Sequence, residues 1–184
     1  MLANAGGVTI APDIAQVTVL RGKESGKIWF QDLYDHPELD IALRAGDRIL
    51  VEGDTRSFTA LGATGSQSLV PFESQSLSAL EAIPQVGGLS PTSADPKGVF
   101  VLRNEPAEIA NVVMGRNDLQ GAQRLVYVLD LTQPNGMFQA RDFAIRDGDT
   151  LYVTEAPFTQ WTKVIGALTG TASSVQSLSS LAGQ

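Results

Sequence analysis

The chain has 184 residues, 43% of them hydrophobic, which is enough for one or two small domains with packed cores. Its net charge of −7 argues against nucleic-acid binding through phosphate contacts, because such binding needs clustered lysine and arginine. Cysteine is absent, so disulfides and thiolate metal sites are excluded.

The first residues, MLANAGGVTIAPD, lack the basic start and the long apolar core of a signal peptide. Within them, LANAGG is typical of a helix end with a glycine cap, yet no helical pattern precedes it. We therefore expect a fragment of a longer protein, with any targeting segment upstream of Met1.

Three strand patterns follow. Alternating apolar residues, many of them β-branched or aromatic, predict strands in QVTVLR (16–21), KIWFQDL (27–33) and RILVE (48–52). The loop DLYDHPELD (32–40) collects four carboxylates and the only histidine, His36. It lacks the glycine and the final glutamate of an EF-hand calcium loop, so a solvated acidic loop is favoured and His36 is interpreted as an ordinary loop residue.

The middle of the chain predicts a strand pair and a helix. SFTALGATGSQSLVPF (57–72) predicts two strands joined by a glycine-rich connection at 62–65. In SLSALEAIPQVGG (76–88), Leu77, Leu80 and Ile83 fall on one helical face, and two glycines end the helix. Further strands are predicted in GVFVLR (98–103), RLVYVLDL (124–131) and TLYVTE (150–155).

Part of the chain is repeated. LRAGDRILV (43–51) recurs as IRDGDTLYV (145–153), VTVLR (17–21) recurs as VFVLR (99–103), and NAGGV (4–8) recurs as QVGGL (85–89). The order is kept while the offset grows from 81 to 102 residues, which indicates one duplicated unit with insertions in the second copy. The largest insertion lies between Arg103 and Leu125.

The repeated Gly-Asp pairs are interpreted as structural turns rather than as an active site. Glycine supplies the left-handed backbone that a tight turn needs, and aspartate can accept hydrogen bonds from nearby amides. The predicted structural turn residues, including the Gly-Gly helix stop, are Gly46, Asp47, Gly87, Gly88, Gly148 and Asp149.

The last part of the chain predicts an amphipathic helix. From Val164 to the end there is no charged side chain. One predicted face is apolar: Phe158, Trp161, Ile165, Leu168, Ala172 and Val175. The opposite face is small and neutral: Gly166, Gly170, Ser173, Ser177 and Ser180. A helix over 157–182 would be roughly 39 Å long, enough to span a hydrocarbon core of about 30 Å.

A surface helix of a soluble protein normally shows charged residues to water, and a lone membrane helix would be apolar all round. A small, neutral polar face instead favours a helix that packs against copies of itself around a water-filled lumen. The apolar face would then contact lipid, and the small face would line the lumen and the contacts between helices.

No catalytic pattern stands out. The sequence has neither a phosphate-binding loop nor a dinucleotide fingerprint, and its single histidine has no partners for a triad. A hydrolase that uses the carboxylates at 32–40 is disfavoured, because no partner acid or base is identifiable. We therefore expect no enzymatic activity, no cofactor and no metal site.

Residues 56–103, RSFTALGATGSQSLVPFESQSLSALEAIPQVGGLSPTSADPKGVFVLR, resemble an SLBB domain, the soluble-ligand-binding β-grasp. With the IRDGDTLYV closure and the amphipathic C-terminal helix, the chain resembles the polysaccharide biosynthesis/export proteins of the bacterial outer membrane. The resemblance implies an α+β fold with two SLBB units. A truncated first unit would occupy 1–55, a second unit 56–155 with an insertion near 104–124, and the helix 156–184.

The resemblance also implies a function. Members of this family form ring-shaped homo-oligomers, octameric in the best-known cases, whose periplasmic domains enclose a cavity and whose C-terminal helices cross the outer membrane. Capsular or exopolysaccharide passes through, and an inner-membrane polysaccharide co-polymerase docks beneath. The family's N-terminal export domain with its lipobox cysteine is absent here, in keeping with a fragment. A soluble carbohydrate- or ligand-binding module without a channel role remains the alternative.

Overall fold

A computed structural model describes residues 7–155 of the chain. The chain divides into two compact units, which are described separately. Unit 1 comprises Met1–Arg56 and Pro71–Leu77, and unit 2 comprises Ser57–Val70 and Ser78–Gln184. The predicted amphipathic helix over 156–184 lies outside the described residues.

Unit 1 contains a three-stranded antiparallel sheet in the order β2-β1-β3. Its strands are β1 (Ala15–Arg21), β2 (Glu24–Trp29) and β3 (Arg48–Gly53). Three short helical segments lie beside them: a 3₁₀ turn at Pro12–Ile14, α1 at Asp32–Asp35, and a 3₁₀ turn at Pro37–Leu39.

The second strand of unit 1 differs from its prediction. It was expected over 27–33, but β2 begins earlier and ends at Trp29. Each of its residues pairs with one of β1, from Arg21 opposite Glu24 to Gln16 opposite Trp29. The Phe30 amide still donates to the carbonyl of Ala15, the first residue of β1, at 2.8 Å, and the chain then turns into α1. The strand therefore ends where β1 begins, although the apolar pattern continues through Phe30.

Arg56 holds the separate segment of unit 1 in place. Its guanidinium lies over the rings of Trp29 and Phe72, at 4.9 and 4.7 Å from the ring centroids. It also donates hydrogen bonds to the Asp54 carboxylate and, at 2.8 Å, to the Gln75 carbonyl. These contacts join Pro71–Leu77 to the sheet, which is why the segment belongs to unit 1.

Unit 2 is built on a five-stranded sheet in the order β5-β4-β8-β6-β7. β8 is parallel to β4 and antiparallel to β6, and β6 is antiparallel to β7. The strands are β4 (Ser57–Gly62), β5 (Ser68–Pro71), β6 (Val99–Glu105), β7 (Gln123–Leu129) and β8 (Thr150–Val153).

The predicted helix of unit 2 is α2 (Ala79–Gln85). A capping box starts it: the Ser78 side chain accepts from the Glu81 amide, and the Glu81 carboxylate accepts from the Ser78 amide. The Gly-Gly pair ends it with positive φ angles of 78° and 80°. Gly87 donates to the Pro84 carbonyl and Gly88 to the Ile83 carbonyl, the bonding pattern of a Schellman cap.

Two helices of unit 2 were not predicted from the sequence. α3 (Ala107–Met114) lies within the predicted insertion and ends at Gly115, whose φ is +60°. α4 (Pro134–Asp142) lies between β7 and β8. No helix within residues 7–155 is long and apolar enough to cross a membrane.

The core of unit 2 lies on one face of its sheet, here called the inner face. Strand residues that alternate onto it are fully buried: Phe58, Ala60, Val99, Val101, Leu129, Leu151 and Val153. Helix α2 adds Ala79, Ala82 and Ile83 to the buried set. The mixed α+β class predicted from the sequence is confirmed, whereas the division into two SLBB units stays a prediction.

Candidate functional site

The first Gly-Asp turn, Gly46-Asp47, is held by Arg21, and we call this arrangement the first clamp. Gly46 has a φ of +95°, and the Asp47 carboxylate accepts a hydrogen bond from the Arg44 amide at 2.8 Å. The same carboxylate receives two hydrogen bonds from Arg21 at the end of β1, from Nε at 2.9 Å and from Nη2 at 2.6 Å. Arg21 Nη2 also donates to the Ala42 carbonyl at 3.0 Å.

The second Gly-Asp turn repeats each of these contacts. Gly148 has a φ of +79°, and Asp149 accepts from the Arg146 amide at 2.7 Å. Arg103 of β6, two residues before the strand ends, donates to Asp149 from Nε at 2.8 Å and from Nη2 at 2.6 Å. Arg103 Nη2 also donates to the Ala144 carbonyl at 2.7 Å.

The two clamps therefore share one design, in which an arginine near the end of a strand holds the turn that starts the last strand of the repeat. Bidentate arginine–carboxylate pairs fix geometry strongly, because both groups are planar and charged. The sequence contained a signal for the arginines, since both VTVLR and VFVLR end in one. Sequence reasoning nevertheless missed Arg21 and Arg103 as partners of the turns.

The second clamp has an additional buried carboxylate. Glu105 accepts hydrogen bonds from Tyr127 Oη and from Arg146 Nη1, both at 2.9 Å, and from Arg103 Nη1 at 3.4 Å. Burial raises the pKa of Glu105, but the Tyr127 hydrogen bond and the two arginine charges outweigh it and leave the pKa below its ordinary value. The corresponding position of the first repeat, two residues after the arginine, is Lys23.

Aromatic rings complete the surroundings of Arg103. Its guanidinium lies 4.8 Å from the ring centroid of Phe143 and 5.7 Å from that of Tyr127. Burial, followed by the hydrogen bond to Glu105, raises the pKa of Tyr127 to about 12, so its hydroxyl remains a donor at neutral pH. The ionised groups of this clamp are satisfied by one another, an arrangement suited to holding strands together.

The acidic loop of unit 1, residues 32–40, was predicted to be solvated, and most of its carboxylates are exposed while Asp32 is half-buried. The Asp32 carboxylate accepts from Gln75 Nε2 at 3.0 Å, while His36 and Glu38 form an exposed pair at 3.1 Å. An open cleft of about 270 Å³ adjoins the loop; its lining is Asp13, Gln31, Asp32, Asp35, Glu73, Ser74, Gln75 and Ser76. Among residues 7–155, no group of three or more acidic or histidine side chains is arranged to hold a metal ion.

The structure places the predicted turn residues at turns and helix ends. The residues predicted to face lipid or the lumen, between Phe158 and Ser180, lie outside the described range. Their roles stay predictions.

The first clamp predicts a pH effect on stability. The Arg21 hydrogen bond, and then the Arg44 amide, lower the pKa of Asp47 from 3.8 to about 2. Because the folded pKa is depressed, the stabilisation is complete above about pH 4 and is lost as the pH falls toward 2. An Asp47→Asn variant should therefore be less stable than the parent at pH 6, and the difference should shrink between pH 4 and 2.

Urea unfolding followed by circular dichroism over this pH range measures the difference. Asp40→Asn removes an exposed carboxylate and serves as the control, for which we expect little change at any pH. A constant gap between the parent and Asp47→Asn from pH 6 to pH 2 would contradict the assignment.

Comparison with known proteins agrees with this architecture. Residues 56–153 match the model of the SLBB domain family. The chain is 34% identical over 170 residues to the capsule polysaccharide export protein BexD of Haemophilus influenzae, covering 89% of the chain and 43% of that protein. It is 31% identical over 168 residues to the Vi polysaccharide export protein VexA/TviF of Salmonella typhi, covering 91% and 45%.

A third relative is the EPS I polysaccharide export outer membrane protein EpsA of Ralstonia solanacearum, 30% identical over 179 residues, covering 93% of the chain and 43% of the relative. The chain thus spans less than half the length of these curated relatives. Since the SLBB match covers more than half of its 184 residues and contains the second clamp, the chain belongs to the SLBB domain family.

Proposed function

We propose that this protein serves in the export of capsular or exopolysaccharide across the bacterial outer membrane, and that it acts in the periplasm and the outer membrane. The observation that carries the proposal is the similarity along 89–93% of the chain to proteins named for capsule, Vi and EPS I polysaccharide export. A match over only the SLBB region would have supported a shared domain, whereas this match also includes most of the remaining sequence.

The role we propose is passive. The relatives are named as export proteins, which favours a conduit over a catalyst. The charged cluster around Arg103 is consistent with this role, because its donors and acceptors satisfy one another. Polar groups along the path would solvate the hydrated polymer, and the energy for transport would come from elsewhere.

A finer arrangement is also proposed. Residues 1–55 would be the later part of a first SLBB unit, and 56–155 a second unit. Copies of the chain would form a ring, and residues 156–184 would cross the outer membrane as a helix. Its apolar face, including Phe158, Trp161 and Ile165, would contact lipid, while the glycine and serine face would line the lumen. An inner-membrane polysaccharide co-polymerase would deliver the polymer.

Removing residues 157–184 tests this proposal. In the protein as it occurs in the cell, the deletion should leave polymer in the periplasm, because the proposed path across the outer membrane is lost. Surface labelling of intact cells, compared with labelling after the outer membrane is permeabilised, measures where the polymer lies. Immunoblots of cell fractions establish that the shortened protein is made and reaches the periplasm.

Normal surface polymer from cells with the shortened protein would contradict the membrane-crossing role. Saturable glycan binding by the protein in calorimetry, together with that result, would support the alternative of a soluble carbohydrate-binding module. A Val112→Ala variant of the same protein is the control for introducing a change that should not affect export, since this exposed side chain lies on α3 and outside the deleted segment.

A further inference from the structure

The second face of the sheet in unit 2, opposite the inner face, is also apolar. Along β8, Leu151 and Val153 are fully buried on the inner face, so Tyr152 between them lies on the outer face. Along β6, the same alternation places Phe100 and Leu102 on the outer face. An antiparallel or mixed sheet that meets water on one side normally carries polar residues there, so this face is suited to a cover.

Strand register aligns these side chains into rows. Leu61 is opposite Tyr152, Tyr152 is opposite Phe100, and Phe100 is opposite Val128, so one row crosses four strands. The rings of Phe100 and Tyr152 stack with their centroids 6.5 Å apart. The neighbouring row adds Leu102 opposite Val126. We call these residues the outer apolar patch: Leu61, Phe100, Leu102, Val126, Val128 and Tyr152.

The margin of the patch remains open to solvent. Phe100 at its centre is buried, whereas Leu61 and Leu102 remain 38% and 41% exposed. Val126 and Val128 on β7 are partly exposed as well. A segment that covers the patch would therefore bury additional apolar surface at these four positions, which is the driving force for docking.

The chain itself supplies a fitting cover. β8 contributes Tyr152 to the patch, and Phe158 follows Val153 by only five positions, a reach of up to about 17 Å. The apolar stripe from Phe158 to Leu168 would extend about 15 Å along a helix. The row of four strands is about 14 Å wide, because neighbouring strands lie about 4.8 Å apart. The stripe and the row thus match in length and in apolar character.

We propose that, in water, the apolar stripe of residues 157–168 docks on the outer apolar patch of the same chain and leaves it when the segment enters a membrane. The same stripe is then shielded by the sheet before insertion and by lipid afterwards. A tether of a few residues gives the chain's own segment a high effective concentration at the patch, so it outcompetes a second copy in dilute solution. Docking does not depend on the export role.

Disulfide trapping tests the docking, because the chain has no cysteine of its own. Each of two sheet positions, Leu61→Cys and Leu102→Cys, is combined with one cysteine in the segment. Ile165→Cys and Leu168→Cys lie on the predicted stripe, and Gly166→Cys and Gly170→Cys on the opposite face at nearly equal tether length. The two glycine positions on the opposite face control for random collision.

If the stripe docks, disulfides should form about ten times faster at the stripe positions than at the opposite-face positions. The reason is that a disulfide needs Cα atoms about 4.4–6.8 Å apart. The product should be intramolecular and independent of protein concentration. Equal trapping of both faces, or no trapping, would overturn the proposal. Disulfides formed only between chains would assign the patch to a second copy and overturn it as well. Neither outcome would bear on export.

Vesicles of phosphatidylethanolamine and phosphatidylglycerol test the release step. Protein bound to these vesicles should lose the stripe-specific trapping, and trapping that persists in the vesicle-bound protein would overturn release. A second measurement avoids cysteine: Leu102→Asp in the full chain should speed proteolysis within 156–184, compared with Leu69→Asp on the exposed β5. Unchanged proteolysis in a folded Leu102→Asp protein would also overturn docking.

Discussion

Replacing Arg103 with alanine is expected to lower the free energy of unfolding of unit 2 by about 3–5 kcal/mol, the cost of removing one partner of a buried ion pair. The side chains of Arg103, Asp149 and Glu105 retain only 6%, 1% and 1% of their exposure. Without the guanidinium, Asp149 would lose both side-chain donors, and Glu105 would keep only Tyr127 and Arg146. Urea unfolding followed by circular dichroism measures the loss.

The first clamp provides a matched control for this prediction. Arg21→Ala removes the same pair of hydrogen bonds to an aspartate, but Arg21 is 31% exposed and has no counterpart of Glu105 beside it. Water can therefore replace part of what is lost, and we expect a clearly smaller destabilisation. Equal losses for Arg21→Ala and Arg103→Ala would show that burial does not set the strength of the clamp.

Replacing Gly62 with alanine is expected to destabilise unit 2 by about 2–5 kcal/mol, from the left-handed backbone and from overpacking together. Gly62 ends β4 with a φ of +84° and lies opposite Val153 of β8. A Cβ atom there would collide with the Val153 carbonyl and come within 3.2 Å of the Tyr152 ring. Backbone atoms cannot move aside without disturbing the parallel pairing of β4 and β8.

Gly115→Ala separates the two contributions. Gly115 also has a positive φ, but a Cβ atom there would meet nothing within 4 Å. Only the backbone cost of about 1–2 kcal/mol is expected at this position. Thermal or urea unfolding of both variants measures the difference, and a loss at Gly115 as large as that at Gly62 would contradict the steric argument.

The repeat in the sequence was the most informative signal. It predicted that Gly46 and Gly148 occupy equivalent turns, and the structure gives both a positive φ in the same hydrogen-bonding context. It could not predict which side chains complete the clamps. Arg21 and Arg103 are 26 and 46 residues away from their aspartates, and only the sheet topology brings the pairs together.

The two unpredicted helices had weak signals for physical reasons. In α3, Ile109, Val112 and Val113 have helical spacing but are exposed, so the pattern does not mark a face that packs in a core. α4 begins with Pro134, Asn135 and Gly136, residues that are typical of turns. Both helices have fewer than ten residues, too few for periodicity to distinguish them from loops.

The strand predictions succeeded where burial alternates. β8 alternates between half-buried and buried residues, and β6 alternates from Val101 to Glu105; both were predicted close to their observed bounds. For the candidate membrane segment at 156–184, the sequence pattern cannot identify what covers the apolar stripe, because lipid and an apolar protein surface both suit it. The sheet of unit 2, with Leu61 and Leu102 at its open margin, supplies the second possibility.

The most direct measurement of the central claim is the location of the polysaccharide in cells that lack this protein. After deletion of the gene, labelling of intact cells should show surface polymer reduced to background, while permeabilised cells still contain it. Restoring the full-length protein should return the polymer to the surface. Undiminished surface polymer in the deletion strain would contradict a role in export.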